Sequence, residues 1–138
     1  MTRKISDVMP QRAPLGLPPS ANAHDAADMM CQHNVGSILV IEAERLEGIF
    51  TERDLVCRVV AQSRDPAATP LSEVMTAGPD TIAPGDMAID GLHKMHDGGY
   101  RHLPVMADGR IVGVISRRDF GWLDEARLEE ETQIWERI

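Results

Sequence analysis

An internal repeat constrains the possible folds of this chain more than any other feature. The segment Gly-Ile-Phe-Thr-Glu-Arg-Asp-Leu at positions 48–55 returns as Gly-Val-Ile-Ser-Arg-Arg-Asp-Phe at positions 113–120, an offset of 65 residues (48 to 113). Each copy of this motif reads as a glycine, two apolar residues, a hydroxyl residue, two spacers, an aspartate and an apolar residue. A polar motif duplicated on an apolar frame predicts a folding unit that is used twice, with a candidate ligand site in each copy.

The repeat extends beyond the motif. Ile-Ser-Asp-Val-Met at 5–9 matches Leu-Ser-Glu-Val-Met at 71–75. The chain has 138 residues, and a unit of half that length would bury only about 60% of its unfolded surface. We therefore expect two repeats that share one core, with repeat one at 1–64, repeat two at 65–123 and a charged carboxy-terminal helix at 124–138.

The second copy predicts the element order β-α-β-β-α, which is an α+β fold. Apolar periodicity indicates a short strand at Thr81–Ile82, a helix from about Met87 to His96, and strands at 102–106 and 110–115. The pair Asp108-Gly109 between the two strands is typical of a type I′ hairpin turn. Ser116 is then expected to open the last helix of the unit.

The first copy predicts the same order. Its helix is expected at 23–32, its hairpin strands at 37–41 and 46–50, and its last helix at 51–61. The turn Glu42-Ala43-Glu44 lacks the Asp-Gly signal, so the sequence supports this hairpin less strongly.

The carboxy-terminal helix leaves two interpretations open. Leu128, Trp135 and Ile138 fall near one face of it. This face either packs on its own domain or forms a dimer contact, because tryptophan is a common interface anchor.

Composition excludes some classes of partner. The formal charge is −8, which argues against a nucleic-acid backbone as the main partner. The longest aliphatic run, Ile38–Ile41, is far shorter than the roughly 20 residues that span a bilayer. No signal-peptide pattern follows the basic start, so we expect a soluble, cytoplasmic protein. Cys31 and Cys57 are expected to be buried reduced thiols rather than a disulfide.

The hydroxyl and the aspartate of each motif suggest ligand chemistry. Thr51 and Ser116 fall where a strand ends and a helix is expected to begin, so free backbone N–H groups there favour an anion. Asp54 and Asp119 follow three residues later, and a carboxylate can accept hydrogen bonds from the two hydroxyls of a ribose. The motif glycine leaves one stretch of strand bare, which would let a flat ring approach the backbone.

The same residues also fit a purely structural role. Ser/Thr-x-x-Asp is close to a capping box, which serves the helix alone. The capping box prefers Glu or Gln at the third position, whereas this chain has Asp in both copies, preceded by Arg53 and Arg118. These departures favour ligand binding, although a capping residue can also contact a ligand.

These motifs together resemble a known family. The Ser-Asp/Glu-Val-Met start of each copy, the segment Tyr100–Val105 and the Gly-x-x-Ser/Thr-x-x-Asp ends recur in order and at the same spacing. Up to about Trp122, the chain resembles a tandem pair of cystathionine-β-synthase (CBS) domains, also called a Bateman module. It is most similar to small stand-alone bacterial members of that family.

The resemblance implies two β-α-β-β-α repeats related by pseudo-twofold symmetry, with clefts between them for AMP, ADP, ATP, NAD(H) or S-adenosylmethionine. The motif aspartate would hold the ribose, and the hydroxyl would lie near ribose or phosphate. Residues beside the short strand would line the adenine, and basic residues before Leu-Pro-Val would reach phosphates. The ligand-binding residues implied are Thr51, Arg53, Asp54, Ser116, Arg118, Asp119, Arg101, His102, Thr81 and Ile82.

The two copies differ in charge. The second has Arg117 and Arg101-His102, whereas the first has Glu52 and Gly36-Ser37 at the matching positions. A carboxylate near a phosphate is unfavourable, so we expect unequal affinities at the two sites.

The leading hypothesis is a regulatory module, expected to be a homodimer, that senses an adenosine ligand and acts in trans on an effector protein. The alternative is a dimerisation scaffold with vestigial clefts. No Walker loop, Gly-x-Gly-x-x-Gly, nucleophile elbow or His-Glu-x-x-His motif occurs, so we do not expect an enzyme or a required cofactor. The pair His93 and His96 is interpreted as solvent-facing, with no metal site.

Overall fold

The computed structural model describes residues 3–137, apart from the side chains of 122, 123 and 135–137. The predicted dimer contact of Trp135 and the position of Ile138 therefore lie outside the described part of the chain.

Helices and short strands alternate along the chain, which confirms the α+β fold class. The helices are α1 (Ile5–Val8), α2 (Ala23–His33), α3 (Glu52–Asp54), α4 (Leu71–Val74), α5 (Ala88–Gly98) and α6 (Trp122–Arg137). The strands are β1 (Gly16–Leu17), β2 (Ser37–Glu42), β3 (Arg45–Thr51), β4 (Thr76–Ala77), β5 (His102–Ala107) and β6 (Arg110–Ser116). A π-helix spans Leu55–Val60, and single 3₁₀ turns span Pro66–Ala68 and Arg117–Asp119.

The chain divides into two compact units, each with one copy of the motif. The repeat-one unit is Ala13–Pro79, and the repeat-two unit joins the stretch up to Arg12 with the chain from Asp80 onward. These units do not coincide with the sequence repeats expected at 1–64 and 65–123, because each leading helix folds with the motif of the other repeat.

Backbone hydrogen bonds show the physical reason for this exchange. Ile5 N in α1 donates to Asp86 O at 2.9 Å, and Leu71 N in α4 donates to Ala21 O at 2.8 Å. Ile5 and Leu71 are fully buried in the cores of those units. Each leading helix therefore satisfies its first backbone donor, and buries its first apolar residue, within the unit that the other repeat builds.

Hairpins form the centre of both units. In the repeat-one unit, β2 pairs antiparallel with β3, β1 adds parallel to β2, and β4 adds antiparallel to β3. In the repeat-two unit, β5 pairs antiparallel with β6. The predicted strand at Thr81–Ile82 is reduced to a single parallel bridge between Ile82 and Val105, which matches the β1 pair Leu17–Val40 in the other unit.

The two hairpin turns differ in sequence, but the central residues of both turns have positive φ. Asp108 and Gly109 have positive φ values of 52° and 75°, as a type I′ turn requires. Ala43 and Glu44 have φ values of 49° and 64°, so they take the same left-handed geometry without a glycine. Strand pairing on both sides imposes this turn, although left-handed geometry is unfavourable for ordinary L-residues.

Each unit has its own apolar core. Fully buried side chains of the repeat-one unit include Ile38, Val40 and Phe50, and those of the repeat-two unit include Leu92 and Leu103.

Exposed cysteines are one departure from expectation. Cys31 and Cys57 are free thiols at exposed positions, so the prediction of buried thiols is wrong. Helix α2 buries Ala26 and Met30, and Cys31, the residue next to Met30, therefore lies on its outer side. Within the described residues, no helix combines the length and apolar composition that crossing a bilayer requires.

The helices that follow the two motifs are also unlike the predictions. The helix predicted at 51–61 begins as α3 and continues as the π-helix. After Ser116 only one 3₁₀ turn forms, since Phe120 is extended with φ −82° and ψ 146°. The longer helix expected to start at Ser116 is therefore absent, and α6 begins at Trp122.

Helix α6 packs on its own unit. Leu128 is 3% exposed and belongs to the repeat-two core. Arg3 Nη1 donates to Asp124 Oδ2 at 2.6 Å, and His93 Nε2 pairs with Glu131 Oε2. These contacts favour the first interpretation of the tail, and they correct the prediction for His93, which is part-buried and paired rather than solvent-facing.

Candidate functional site

Each motif forms a helix cap around its aspartate. In the first copy, Thr51 N and Thr51 Oγ1 donate to Asp54 Oδ2 at 3.0 and 3.1 Å, and Asp54 N donates back to Thr51 Oγ1 at 3.2 Å. In the second copy, Ser116 N and Ser116 Oγ donate to Asp119 Oδ2 at 2.7 and 3.2 Å. The shorter aspartate thus completes the capping box in both copies, so the Asp-for-Glu difference does not by itself argue for a ligand.

The two oxygens of each motif carboxylate have different roles, because the cap uses only one of them. Oδ2 of each aspartate is held by the residue three positions before it, which leaves Oδ1 to meet other groups. The cap therefore orients the carboxylate, and the surroundings of Oδ1 decide whether a ribose hydroxyl can reach it.

The surroundings of Asp54 Oδ1 contain donors from elsewhere in the repeat-one unit. Thr76 Oγ1 lies 3.5 Å from Asp54 Oδ1, and Arg58 Nε lies 3.7 Å from it. Arg58 is itself held by the chain around the end of α4, donating from Nη1 to Met75 O at 2.7 Å and to Val74 O at 3.3 Å. The Asp54 side chain is only 10% exposed. Arg58 and Thr76 are the residues that sequence reasoning missed here.

The motif glycines do not leave open strand. A Cβ added at Gly48 would lie 2.6 Å from Met75 Sδ, and one added at Gly113 would lie 2.6 Å from Met9 Sδ. The expectation that a flat ring approaches this stretch is therefore wrong on that face, because a methionine of the other repeat's leading segment fills the space in each unit. These methionines recur at matching positions of the two repeats, which is the signal that could have revealed the contact.

The basic residues of the second copy surround a glutamate of α6. Arg117 Nε and Nη2 donate to Glu125 Oε1 and Oε2 at 2.8 and 2.7 Å. This paired hydrogen bond raises the pKa of Arg117. It also lowers the pKa of Glu125, against the opposing effect of burial, and the charges of Arg117 and Arg101 lower it further. The sequence did not indicate Glu125.

Arg101 and the motif lie side by side. Arg117 N donates to Arg101 O at 2.8 Å, as Glu52 N donates to Gly36 O at 3.1 Å in the first copy. The structure therefore brings Arg101 and Arg117 together, whereas the matching pair Gly36 and Glu52 carries no positive charge.

The remaining predicted site residues range from exposed to buried. Arg53 and Arg118 are exposed, and His102 is half-buried opposite Ser116 in the β5–β6 register. Ile82 is 3% exposed with its side chain in the repeat-two core, and Thr81 is half-buried beside it.

The backbone around Thr81 is held by two long side chains that the sequence did not single out. Lys94 Nζ donates to Thr81 O at 2.9 Å, and the Tyr100 hydroxyl donates to Asp80 Oδ2 at 2.7 Å. Burial first, and then the hydrogen bond to Asp80, raise the pKa of Tyr100 above its ordinary value of 10.0. Across the described chain, no three His, Cys, Asp or Glu residues converge as metal ligands.

Comparison with known proteins accounts for the duplicated motif. The family model of the CBS domain matches residues 5–61 and 71–120. The CBS domain-containing protein YhcV of Bacillus subtilis is 37% identical over 101 residues, which cover 73% of this chain and 71% of YhcV. The chain spans only a small part of some relatives: it is 32% identical to CBSCBSPB1 of Arabidopsis thaliana over 73% of its own length and 19% of that protein.

Solved structures agree with the fold. A CBS domain protein from Pyrobaculum aerophilum, complexed with AMP, has a TM-score of 0.81 at 27% identity and covers 93% of this chain and 99% of its own. A CBS-domain-containing protein from Agrobacterium tumefaciens has a TM-score of 0.78 at 30% identity, with 91% and 99% covered.

Proposed function

The chain belongs to the CBS-domain family, and from this premise we propose that it is a regulatory module that binds an adenosine-containing ligand through an aspartate of its duplicated motif. The candidate ligands are AMP, ADP, ATP, NAD(H) and S-adenosylmethionine. The ligand acts as a regulator and is not a required cofactor.

One observation carries the proposal. In each copy the hydroxyl residue and its own backbone N–H hold the aspartate by Oδ2, at 3.0 and 3.1 Å for Asp54 and at 2.7 and 3.2 Å for Asp119. A carboxylate fixed in this way is preorganised to accept the hydroxyls of a ribose, and charge-assisted hydrogen bonds are the strong kind. The Pyrobaculum aerophilum relative complexed with AMP supports an adenosine ligand.

Charge indicates where a phosphate would be favoured. Arg101 and Arg117 lie together in the repeat-two unit, and arginine is suited to phosphate recognition. The Arg117–Glu125 pair means that a phosphate there would compete with a carboxylate, so ligands with and without phosphates need to be compared.

Thermal shift with a ligand panel tests the proposal. AMP, ADP, ATP, NAD, NADH and S-adenosylmethionine are each added at rising concentration, and a ligand at 100 times its Kd stabilises the native state by about 2.7 kcal/mol. We expect at least one of them to raise Tm, and the 2′-deoxy form of the best nucleotide to raise it far less, because it lacks a hydroxyl that the aspartate accepts from.

The scaffold is the competing function, and the capping boxes favour it, because a cap explains the motif without any ligand. If no member of the panel raises Tm, the scaffold is the better interpretation. An equal shift by the 2′-deoxy nucleotide would instead reject the ribose contact.

We further propose that the chain forms a homodimer and signals to an effector protein in trans. A ligand can change such an assembly only by the difference in its affinity for the two states. Sedimentation velocity with and without the ligand is expected to show a dimer whose shape or stability changes. A monomer under both conditions would contradict this part of the proposal.

A further inference from the structure

Two side chains outside the cap lie beside Asp54 Oδ1. Thr76 Oγ1 donates to Asp54 Oδ1 at 3.5 Å, Arg58 Nε forms an ion pair with it at 3.7 Å, and Arg58 Nη1 donates to Met75 O at 2.7 Å. We call Arg58 and Thr76 the lock. These two residues connect the carboxylate to Met75 and to the start of β4, and the Asp54 side chain is only 10% exposed.

The second copy lacks the residues of the lock. Thr76 follows the repeated Met75, and Pro10 follows the matching Met9. Arg58 stands four residues after Asp54, and Leu123 stands four residues after Asp119. Neither proline nor leucine has a side-chain donor, so no equivalent lock can be built at these positions. Asp119 is also half-buried, where Asp54 is buried.

A ribose hydroxyl would have to reach Asp54 Oδ1, the carboxylate oxygen that Arg58 and Thr76 already contact. Binding two vicinal hydroxyls requires lone pairs that the ligand can reach, and Oδ2 of both aspartates already accepts two donors from the cap. At Asp54 the ligand would have to displace Thr76 and separate a nearly buried carboxylate from a guanidinium, which is costly. At Asp119 the residues at the matching positions, Pro10 and Leu123, supply no such donor.

We propose that the lock makes Asp54 a structural carboxylate, so that the adenosine ligand binds through Asp119 and not through Asp54. This inference rests on the proposed function and deepens it, because it assigns the ligand to one of two motifs that look alike in sequence. Arg58 and Thr76 are then the residues that decide which copy binds. The basic pair Arg101 and Arg117 lies in the same unit as Asp119, which agrees with this assignment for an anionic ligand.

Titration calorimetry of the full chain with AMP, ATP and S-adenosylmethionine tests the inference. Asp54→Asn and Asp119→Asn are matched variants, since each keeps the side-chain shape and removes the charge. We expect one ligand per chain in the unaltered protein. Asp119→Asn is expected to weaken binding by about 10- to 100-fold, the loss that follows when hydrogen bonds to a charged acceptor disappear. Asp54→Asn is expected to leave Kd within about threefold.

Two results would overturn the inference: two equivalent sites in the unaltered chain, or a loss of affinity in Asp54→Asn as large as in Asp119→Asn. If none of the three probes binds the unaltered chain, the proposed function fails, and urea unfolding then tests the lock alone.

Urea unfolding provides that second arm. Asp54→Asn is expected to lower the unfolding midpoint more than Asp119→Asn, because Asp54 has Arg58 and Thr76 as partners in addition to its cap. Arg58→Met and Thr76→Val are expected to lower it too while retaining ligand affinity, and they replace Asp54→Asn if that variant does not fold. Equal midpoints for the two asparagine variants would show that the lock does not hold Asp54.

Discussion

The two copies of the motif share a helix cap but differ in the side chains around it and in the helix that follows. In the repeat-one unit the aspartate is buried beside Arg58 and Thr76, and a π-helix follows. In the repeat-two unit the aspartate is half-buried, a single 3₁₀ turn follows, and α6 brings Glu125 to Arg117. Duplication has therefore preserved the cap and the backbone frame, while the side-chain partners of the motif residues differ between the two copies.

The largest expected change in the free energy of unfolding concerns the motif glycines, Gly48 and Gly113. A Cβ at Gly48 would meet Met75 Sδ at 2.6 Å and the backbone oxygen of Thr76 at 2.8 Å, whereas one at Gly113 would meet only the side chain of Met9 at under 3.0 Å. Gly48→Ala should cost about 2 kcal/mol, within the usual cost of overpacking, and Gly113→Ala should cost less because Met9 can move aside. Urea unfolding measures both, and equal costs would show that the two strands tolerate a side chain equally.

The second largest change in stability is expected at the two hairpin turns. Ala43 and Glu44 hold positive φ without a glycine, so replacing them together by Asn-Gly should stabilise the chain by about 1 kcal/mol, after allowing for the added freedom of glycine when unfolded. The reciprocal control replaces Asp108 and Gly109 by Ala-Glu and should destabilise by a similar amount. Thermal unfolding decides: if Asn-Gly lowers Tm, then strain in this turn is not the dominant effect.

The smallest expected effect concerns the ion pair that only the second copy has. Hydrogen bonding from Arg117 lowers the pKa of Glu125 below its ordinary value of 4.5, so the folded state favours the ionised carboxylate. The stabilisation is therefore present above pH 4.5 and disappears as the pH falls through the lower folded pKa. The pair is partly exposed, so Glu125→Gln should cost about 1 kcal/mol or less at neutral pH.

The measurement for this pair is the unfolding free energy from pH 3 to pH 7. The difference between Glu125→Gln and the unaltered chain should shrink towards the acid end. Glu129→Gln, at an exposed position of the same helix, is the matched control and should show little change. A constant difference across the pH range would mean that Glu125 acts through packing and not through its charge.

Much of the fold could be predicted from the sequence, because the signals are local. The hairpin at Asp108-Gly109, the helix now seen at Ala23–His33 and the strand pattern all depend on residues within one or two turns of each other. The family followed from the order and spacing of the repeated motifs. Both motif aspartates complete helix caps, which is the structural role that the motif also fits, and ligand binding by them stays a prediction.

The duplication, the hairpin strands and the two longer helices of the repeats could be predicted from the sequence, since these follow from spacing along the chain. Only the tertiary structure decided that each leading helix folds with the other repeat's motif, that Met9 and Met75 fill the space at the motif glycines, and that Arg58 and Thr76 lie beside Asp54. The physical reason is sequence distance. A cap joins atoms three residues apart, whereas Thr76 stands 22 residues after Asp54 and reaches it only once β4 has paired with β3.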